Sequence, residues 1–156
     1  MTSKERGNGV ALDDVSKAII EQLQGDGRRP YAAIGKAVGL SEAAVRQRVQ
    51  RLLDGGIMQI VAVTDPLRLG FHRQAMIGVR CHGDLHAVAD GLGKLPEVTY
   101  TVLTAGSYDL IVEVVCADDE DLLRVLHAVR EVPGVVATDT FVYLKLRKQS
   151  YAWGAG

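Results

Sequence analysis

Residues 31–53 read YAAIGKAVGLSEAAVRQRVQRLL, and this stretch decides the first half of the fold. Gly39 stands where a left-handed residue can end one helix, and the Ser41 hydroxyl can cap the free N–H groups of the next helix. Gly35 lacks a side chain, which allows the two helices to cross at close range. Apolar residues recur at the spacing of a helix face, namely Val38, Leu40, Val45, Val49 and Leu52. The stretch therefore predicts two packed helices joined by a tight turn.

The second of these helices carries polar side chains away from its apolar positions. They are Arg46, Gln47, Arg48, Gln50 and Arg51. Arginine and glutamine hydrogen-bond in pairs to guanine and adenine edges in the major groove, and arginine also neutralises phosphates. Residues 28–51 hold six basic residues and one acidic residue, a net charge of +5, whereas residues 65–156 hold nine basic and twelve acidic ones, a net charge of −3. A solvated charged surface is the alternative, but together with the turn the pattern predicts a helix-turn-helix that binds double-stranded DNA.

Elements on either side of this motif complete an N-terminal domain. A third helix is predicted from apolar residues at helical spacing, namely Leu12, Val15, Ile19, Ile20 and Leu23. Gly25-Asp26-Gly27 ends that helix. The β-branched run from Ile57 to Val63 predicts a short wing or strand, and Asp65-Pro66 then marks a turn.

The second half of the chain contains a repeat. A strand ending near Cys81 leads into a helix and then Leu95-Pro96-Glu97-Val98, and a strand ending near Cys116 leads into a helix and then Val132-Pro133-Gly134-Val135. Each copy continues into another strand, and a hairpin at Gly106-Ser107 joins the copies. The order βαββαβ predicts a ferredoxin-like sandwich with both helices on one face of a four-stranded antiparallel sheet. The whole chain is therefore predicted to be an α+β protein.

The third strand of this sheet is largely apolar on both sides. Leu110, Val112, Val114 and Cys116 alternate with Ile111, Glu113 and Val115. A sheet covered by helices on one side only usually shows polar residues on its other side. We therefore expect the uncovered face to pack against a second copy, which predicts a homodimer.

Composition limits the remaining possibilities. The 156 residues contain no apolar run of membrane-spanning length and begin with a polar segment, so we expect a cytoplasmic protein without membrane contact. Cys81 and Cys116 each lie in an apolar run, which favours reduced thiols over a disulfide. Cys81 and His82 would point to opposite faces of a strand, so we predict no metal site and no cofactor. No nucleophile elbow, phosphate loop or paired catalytic carboxylates are evident, and we expect no enzyme activity.

The order and spacing of these residues resemble the Lrp/AsnC family of feast-or-famine transcription regulators. The resemblance runs from about Leu12 to Lys148 and rests on several short motifs. They are Leu12-Asp13, Val38-Gly39-Leu40-Ser41 with Val45, Arg48 and Arg51-Leu52, Gly56-Ile57, Asp65-Pro66 with Leu69-Gly70, Gly106-Ser107-Tyr108-Asp109, and Pro133-Gly134-Val135 with Thr138 and Thr140. Departures are Ser16 where the family often has Asp, Gly35 where Ala is usual, and Gln59-Ile60 in place of a common Gly-Tyr pair.

The resemblance implies an effector site in the second half, between neighbouring ligand-binding domains of dimers that often assemble into octamers. It implies an amino acid or related metabolite as the effector. Onto this chain it carries Gly106, Tyr108 and Asp109, with Thr138 and Thr140 as further candidates. Asp109 would pair with the ammonium of an amino acid, and backbone N–H groups beside Gly106 would receive its carboxylate.

Four segments are expected along the chain. Residues 1–64 form the DNA-binding domain with its short β segment, 65–72 the linker, 73–148 the effector-binding and oligomerisation domain, and 149–156 a tail. The predicted DNA-binding residues are Ser41, Arg46, Gln47, Arg48, Gln50 and Arg51. The alternative to a sequence-specific regulator is a metabolite-binding oligomeric module whose basic helix makes only weak, non-specific nucleic-acid contacts.

Overall fold

A computed structural model describes residues 12–156 of the chain. These residues form two compact units, of which the second spans Val63–Arg147. The first unit consists of the described residues up to Ala62 together with Lys148–Gly156. The division thus falls between Ala62 and Val63, close to the boundary expected after residue 64, and the tail belongs to the first unit.

Three helices build the first unit, as the apolar spacing predicts. They are α1 (Asp14–Gly25), α2 (Tyr31–Val38) and α3 (Glu42–Asp54). Their buried faces meet in a small core made by Ile19, Leu23, Ile34, Val45 and Val49.

The turn between α2 and α3 has the predicted chemistry. Gly39 adopts a left-handed conformation with φ of 75°, and the Ser41 hydroxyl accepts a hydrogen bond of 3.2 Å from the backbone N–H of Ala44. At Gly35 an added Cβ atom would lie 2.4 Å from the carbonyl oxygen of Leu40. The missing side chain therefore permits the close approach that the two helices make.

The predicted strand between Ile57 and Val63 is wrong. No strand is assigned in this segment, and the side chain of Val61 is 67% exposed. β-Branched residues favour a strand only where a neighbouring strand supplies hydrogen bonds and packing. The described part of this single chain pairs no strand with residues 57–63.

The tail returns to α1. The side-chain amide of Gln24 donates a hydrogen bond of 3.0 Å to the carbonyl of Gly154, and its oxygen accepts one of 3.1 Å from the Gly154 N–H. Tyr151 and Trp153 lie nearby in sequence and are 49% and 79% exposed. Gln24 thus fixes the tail by its backbone while both aromatic rings face solvent.

The second unit has the predicted order of elements. After a 3₁₀ turn at Pro66–Leu69 come β1 (Arg73–Cys81), α4 (Leu85–Leu92), β2 (Val98–Leu103), β3 (Leu110–Cys116), α5 (Asp119–Glu131) and β4 (Val135–Val142). The four strands form one antiparallel sheet in the order β2-β3-β1-β4. This arrangement confirms the ferredoxin-like α+β fold.

The two helices cover one face of this sheet. Alternate residues of β1 and β3 are fully buried against them, namely Ala75, Ile77, Val79, Leu110, Val112, Val114 and Cys116. Both cysteines are free thiols; burial raises the pKa of Cys116 to about 11, and Cys81 is only half-buried.

No helix among residues 12–156 covers the other side of the sheet, which we call the open face. Its residues form two rows across the strands. One row is Val102, Ile111, Gly78 and Asp139, and the other is Tyr100, Glu113, Met76 and Phe141. Tyr100 and Phe141 are 54% and 51% exposed. The open face therefore presents large apolar side chains to solvent, as the alternation in β3 indicates.

Candidate nucleic-acid interface and effector site

The polar side of α3 is exposed at four of the predicted positions. Val45, Val49 and Leu52 point into the core, and this places Arg46, Gln47, Gln50 and Arg51 outside it, where all four are exposed. Because Ser41 caps the helix and Gly39 turns the chain, the start of α3 is rigidly set. A capped helix with exposed arginine and glutamine side chains has the chemistry needed to enter a major groove.

Arg48 has a different environment from the other four. Its Nη1 atom donates hydrogen bonds of 2.7 and 3.0 Å to the Asp13 carboxylate and one of 3.1 Å to the Ser16 hydroxyl. The same carboxylate accepts a hydrogen bond of 2.8 Å from the Ser16 N–H and so caps α1. Arg48 therefore joins α3 to the start of α1, and its role as a DNA contact stays a prediction beside this structural one.

This cluster perturbs the carboxyl group at its centre. Hydrogen bonds from Ser16 and then from Arg48 hold the pKa of Asp13 far below its usual value. The charged carboxylate is thus the form that the folded unit stabilises. Ser16, which departs from the family's usual Asp, supplies a hydroxyl to the same network.

Three of the exposed side chains of α3 have close partners. Arg46 forms an ion pair of 2.8 Å with Glu42, and its guanidinium carbon lies 5.2 Å from the centre of the Tyr31 ring. Gln50 donates a hydrogen bond of 2.8 Å to Asp54. The Arg51 Nε atom lies 3.5 Å from the carbonyl oxygen of Gln47, at the limit of a hydrogen bond.

The predicted effector hairpin is fixed to β1 by its last residue. The Asp109 N–H donates a hydrogen bond of 3.0 Å to the carbonyl of Val79, and its carboxylate accepts one of 2.9 Å from the Cys81 N–H. Gly106 has a φ of 155°, a conformation that favours glycine. One Asp109 oxygen therefore has a structural partner, and an ammonium group would have to share the carboxylate with the backbone of β1.

Tyr108 lies on the open face against a glycine that the sequence analysis missed. A Cβ atom added to Gly78 would lie 2.7 to 2.8 Å from three carbons of the Tyr108 ring. Burial raises the pKa of the Tyr108 phenol, and a hydrogen bond to Asp139 acts in the same direction. The ring also meets Phe141 edge to face, with their centres 6.3 Å apart. A glycine inside a strand often marks such a close approach, and this is the signal that could have found Gly78.

Thr138 and Thr140 are not brought together with Tyr108. In the pairing of β1 with β4, Thr138 lies opposite Val79 and Thr140 opposite Ile77, so both threonines point to the helix-covered face. Arg130 of α5 donates a hydrogen bond of 3.1 Å to the Thr138 hydroxyl. Within a single chain the two threonines and the hairpin thus lie on opposite faces of the sheet, and their role in a site between neighbouring domains stays a prediction. The open-face neighbours of Tyr108 on β4 are instead Asp139 and Phe141, and Asp139 also lies 3.7 Å from Arg80.

A shallow apolar cleft of about 260 Å³ lies elsewhere in the second unit. Its lining residues are Thr64, Pro66, Leu69, Phe71, Pro96, Glu97, Thr99 and Val115. None of the predicted effector residues lines it.

Comparison with known families matches both units. Residues 12–53 match the AsnC-type helix-turn-helix domain, and residues 74–153 match the Lrp/AsnC ligand-binding domain. The chain belongs to the Lrp/AsnC family. It accordingly combines the DNA-binding and ligand-binding domains of a transcriptional regulator, which confirms the resemblance drawn from the sequence motifs.

Individual relatives cover almost the whole chain. The HTH-type transcriptional regulator FL11 of Pyrococcus horikoshii is 35% identical over 90% of this chain and 95% of its own length. Among solved structures, AsnC of E. coli is 26% identical with a TM-score of 0.77, covering 88% of this chain and 95% of that one. A transcriptional regulator of Neisseria meningitidis solved with L-Met is 25% identical with a TM-score of 0.79, covering 90% and 95%. Within residues 12–156, no helix is long and apolar enough to cross a membrane.

Proposed function

We propose that this protein recognises specific double-stranded DNA through α3 and that an amino acid or related metabolite modulates this binding. The observation that carries the proposal is the exposed set Arg46, Gln47, Gln50 and Arg51, which follows a capped turn and lies outside the core. These residue types bond to base edges and phosphates. Ser41 orients α3 by capping it, and because Ser41 is itself exposed it is open to the DNA backbone. DNA binding in turn supports a cytoplasmic location.

The test of DNA recognition is a salt titration. Binding of the protein to duplexes flanking its own coding region is compared with binding to random duplexes of equal length. Charge-only contacts lose affinity with salt to the same extent on both, whereas base readout retains a preference for the specific sites. Equal affinity for both kinds of duplex at every salt concentration would support the alternative of a metabolite-binding module with non-specific contacts.

An amino acid is the effector class that the hairpin Gly106-Ser107-Tyr108-Asp109 supports. The relative from Neisseria meningitidis binds L-Met in its solved structure. Asp109 offers a carboxylate beside the half-buried Tyr108, although one of its oxygens also holds the Cys81 N–H. Gly106 and the threonines Thr138 and Thr140 remain candidates for a site completed by a neighbouring copy.

A thermal-shift screen of the twenty amino acids tests the effector class, since a ligand that binds the native state raises the melting midpoint. Asp109→Asn keeps an oxygen for the Cys81 N–H but removes the charge, so it separates ammonium pairing from structure. We expect it to lose the ligand signal in calorimetry while it keeps the wild-type melting midpoint. An undiminished heat of binding in this variant would remove Asp109 from the site.

We also propose that two copies pair through the open face. Its apolar residues Met76, Tyr100 and Phe141 are 36%, 54% and 51% exposed in the single chain. Large apolar side chains exposed on one face of a sheet mark a protein interface. Assembly of such dimers into octamers is the further state that the family resemblance implies.

A further inference from the structure

Arg46 is the exposed side chain of α3 that two different helices restrain. Its guanidinium carbon lies 5.2 Å from the centre of the Tyr31 ring, at the first residue of α2. Its Nη2 atom lies 2.8 Å from the Glu42 carboxylate, at the first residue of α3. The side chain is nevertheless 64% exposed, so it is held in place and still open to a ligand.

The other polar side chains of α3 that the structure describes are held differently. Gln50 bonds to Asp54 and Arg51 approaches the Gln47 carbonyl, both one turn away on the same helix. Arg48 is only half-buried and bonds to Asp13 and Ser16 at the start of α1. Arg46 thus combines a long exposed arginine with a restraint from outside its own helix.

The two partners of Arg46 restrain it in different ways. An aromatic ring attracts the flat face of a guanidinium and so limits the planes that the group can adopt. The Glu42 carboxylate places a negative charge beside the guanidinium, which repels an approaching phosphate. In the described geometry Glu42 accepts only from Nη2, which carries two N–H groups, so one donor edge of the guanidinium, Nη2 paired with either Nε or Nη1, stays available to paired acceptors on a base.

From this geometry we propose that Tyr31 and Glu42 are specificity-determining positioning residues, which orient Arg46 toward a base edge and disfavour its use on phosphates. The proposal rests on the proposed DNA recognition by α3. Guanine is the base whose paired acceptors suit an arginine fork. Tyr31 and Glu42 act through Arg46 and need not touch the DNA themselves.

The test measures affinity for two duplexes across a salt series. One is selected by the wild-type protein from a random pool, and the other is a scrambled duplex of the same composition. Tyr31→Leu keeps an apolar side chain against the small core but removes the ring, and we expect it to weaken binding to the selected duplex about two- to fivefold and leave the scrambled duplex unchanged. Tyr31→Phe keeps the ring and should bind like the wild type.

Glu42→Gln should act on the scrambled duplex instead. Removing the repelling charge should tighten non-specific binding and steepen the dependence of log affinity on log salt by about one phosphate contact. The ratio of the two affinities should therefore fall while the melting midpoint changes little.

Arg46→Ala supplies the decisive background. If Tyr31 and Glu42 act through Arg46, neither Tyr31→Leu nor Glu42→Gln should alter the affinity ratio once Arg46 is absent. The inference would be overturned if either variant changed the affinity for both duplexes equally, or if it still changed the affinity ratio in the absence of Arg46. A wild-type protein that cannot select a duplex from the pool would instead overturn the proposed function, so the two failures are distinguishable.

Discussion

The contact between Gly78 and Tyr108 predicts that a single methyl group on β1 disturbs the effector hairpin. In Gly78→Ala the new Cβ atom would lie 2.7 to 2.8 Å from three ring carbons. Unbonded carbon atoms prefer about 3.5 to 4.0 Å, so the ring has to retreat by about 1 Å. Overpacking of this kind typically costs about 1 to 3 kcal/mol. With a urea dependence of about 1.5 kcal/mol per M, the unfolding midpoint of the second unit should fall by about 0.7 to 2 M.

Hydrogen exchange of peptides from β1 and β3 across a urea series measures this midpoint, and peptides from α1–α3 provide an internal reference in the other unit. Gly93→Ala is the matched control, because a Cβ atom there would meet its nearest neighbour at 3.4 Å in an ordinary helical conformation. It should leave the midpoint unchanged or raise it slightly. In the Tyr108→Ala background the Gly78→Ala penalty should disappear. If Gly78→Ala and Gly93→Ala, both with Tyr108 present, unfold at the same urea midpoint, Tyr108 does not occupy the described position in solution.

Three further predictions concern the other features of the two units. Phe141→Glu should convert the proposed dimer into a monomer in light scattering, because it places a charge on the open face beside Met76; an unchanged mass would show that another surface forms the dimer. Because hydrogen bonds from Ser16 and Arg48 depress the pKa of Asp13 in the folded state, its contribution to stability is fully present above about pH 4 and is lost as the pH falls further. The stability of the wild type, measured by urea unfolding, should therefore fall more steeply on acidification than that of Asp13→Asn. Parallel pH profiles would contradict this role of Asp13. Arg51→Ala should weaken specific DNA binding by about 1 to 3 kcal/mol without lowering the melting midpoint, and a variant that unfolds early would reassign Arg51 to structure.

Local signals in the sequence predicted the first unit well. Gly39 and Ser41 determine the turn through backbone conformation and capping, which depend on residues close in sequence. The structural bonds of Arg48 were not predicted because its partner Asp13 lies 35 positions away. The helical spacing shows that Arg48 lies outside the apolar positions of α3, but only the packing of α1 shows that it bonds to Asp13 and Ser16.

In the second unit the strand–helix repeat predicted the topology of the sheet, but it did not predict which face of the sheet each residue of β4 points to. Thr138 and Thr140 lie on the helix-covered face because of the register between β1 and β4, which no short motif in β4 encodes. The wrong strand at residues 57–63 has a related origin. Its β-branched composition is suited to a sheet, yet strand formation depends on a pairing partner that composition does not identify.

The clasp between Gln24 and Gly154 has a consequence for how the protein is made. Synthesis on the ribosome runs from the amino to the carboxyl end, so the helices of the first unit emerge early and can fold before the sheet is complete. Gly154, in contrast, lies 130 positions after Gln24 and leaves the ribosome after the whole second unit. The first unit can therefore begin to fold first, and it acquires these two hydrogen bonds only after the second unit has been synthesised.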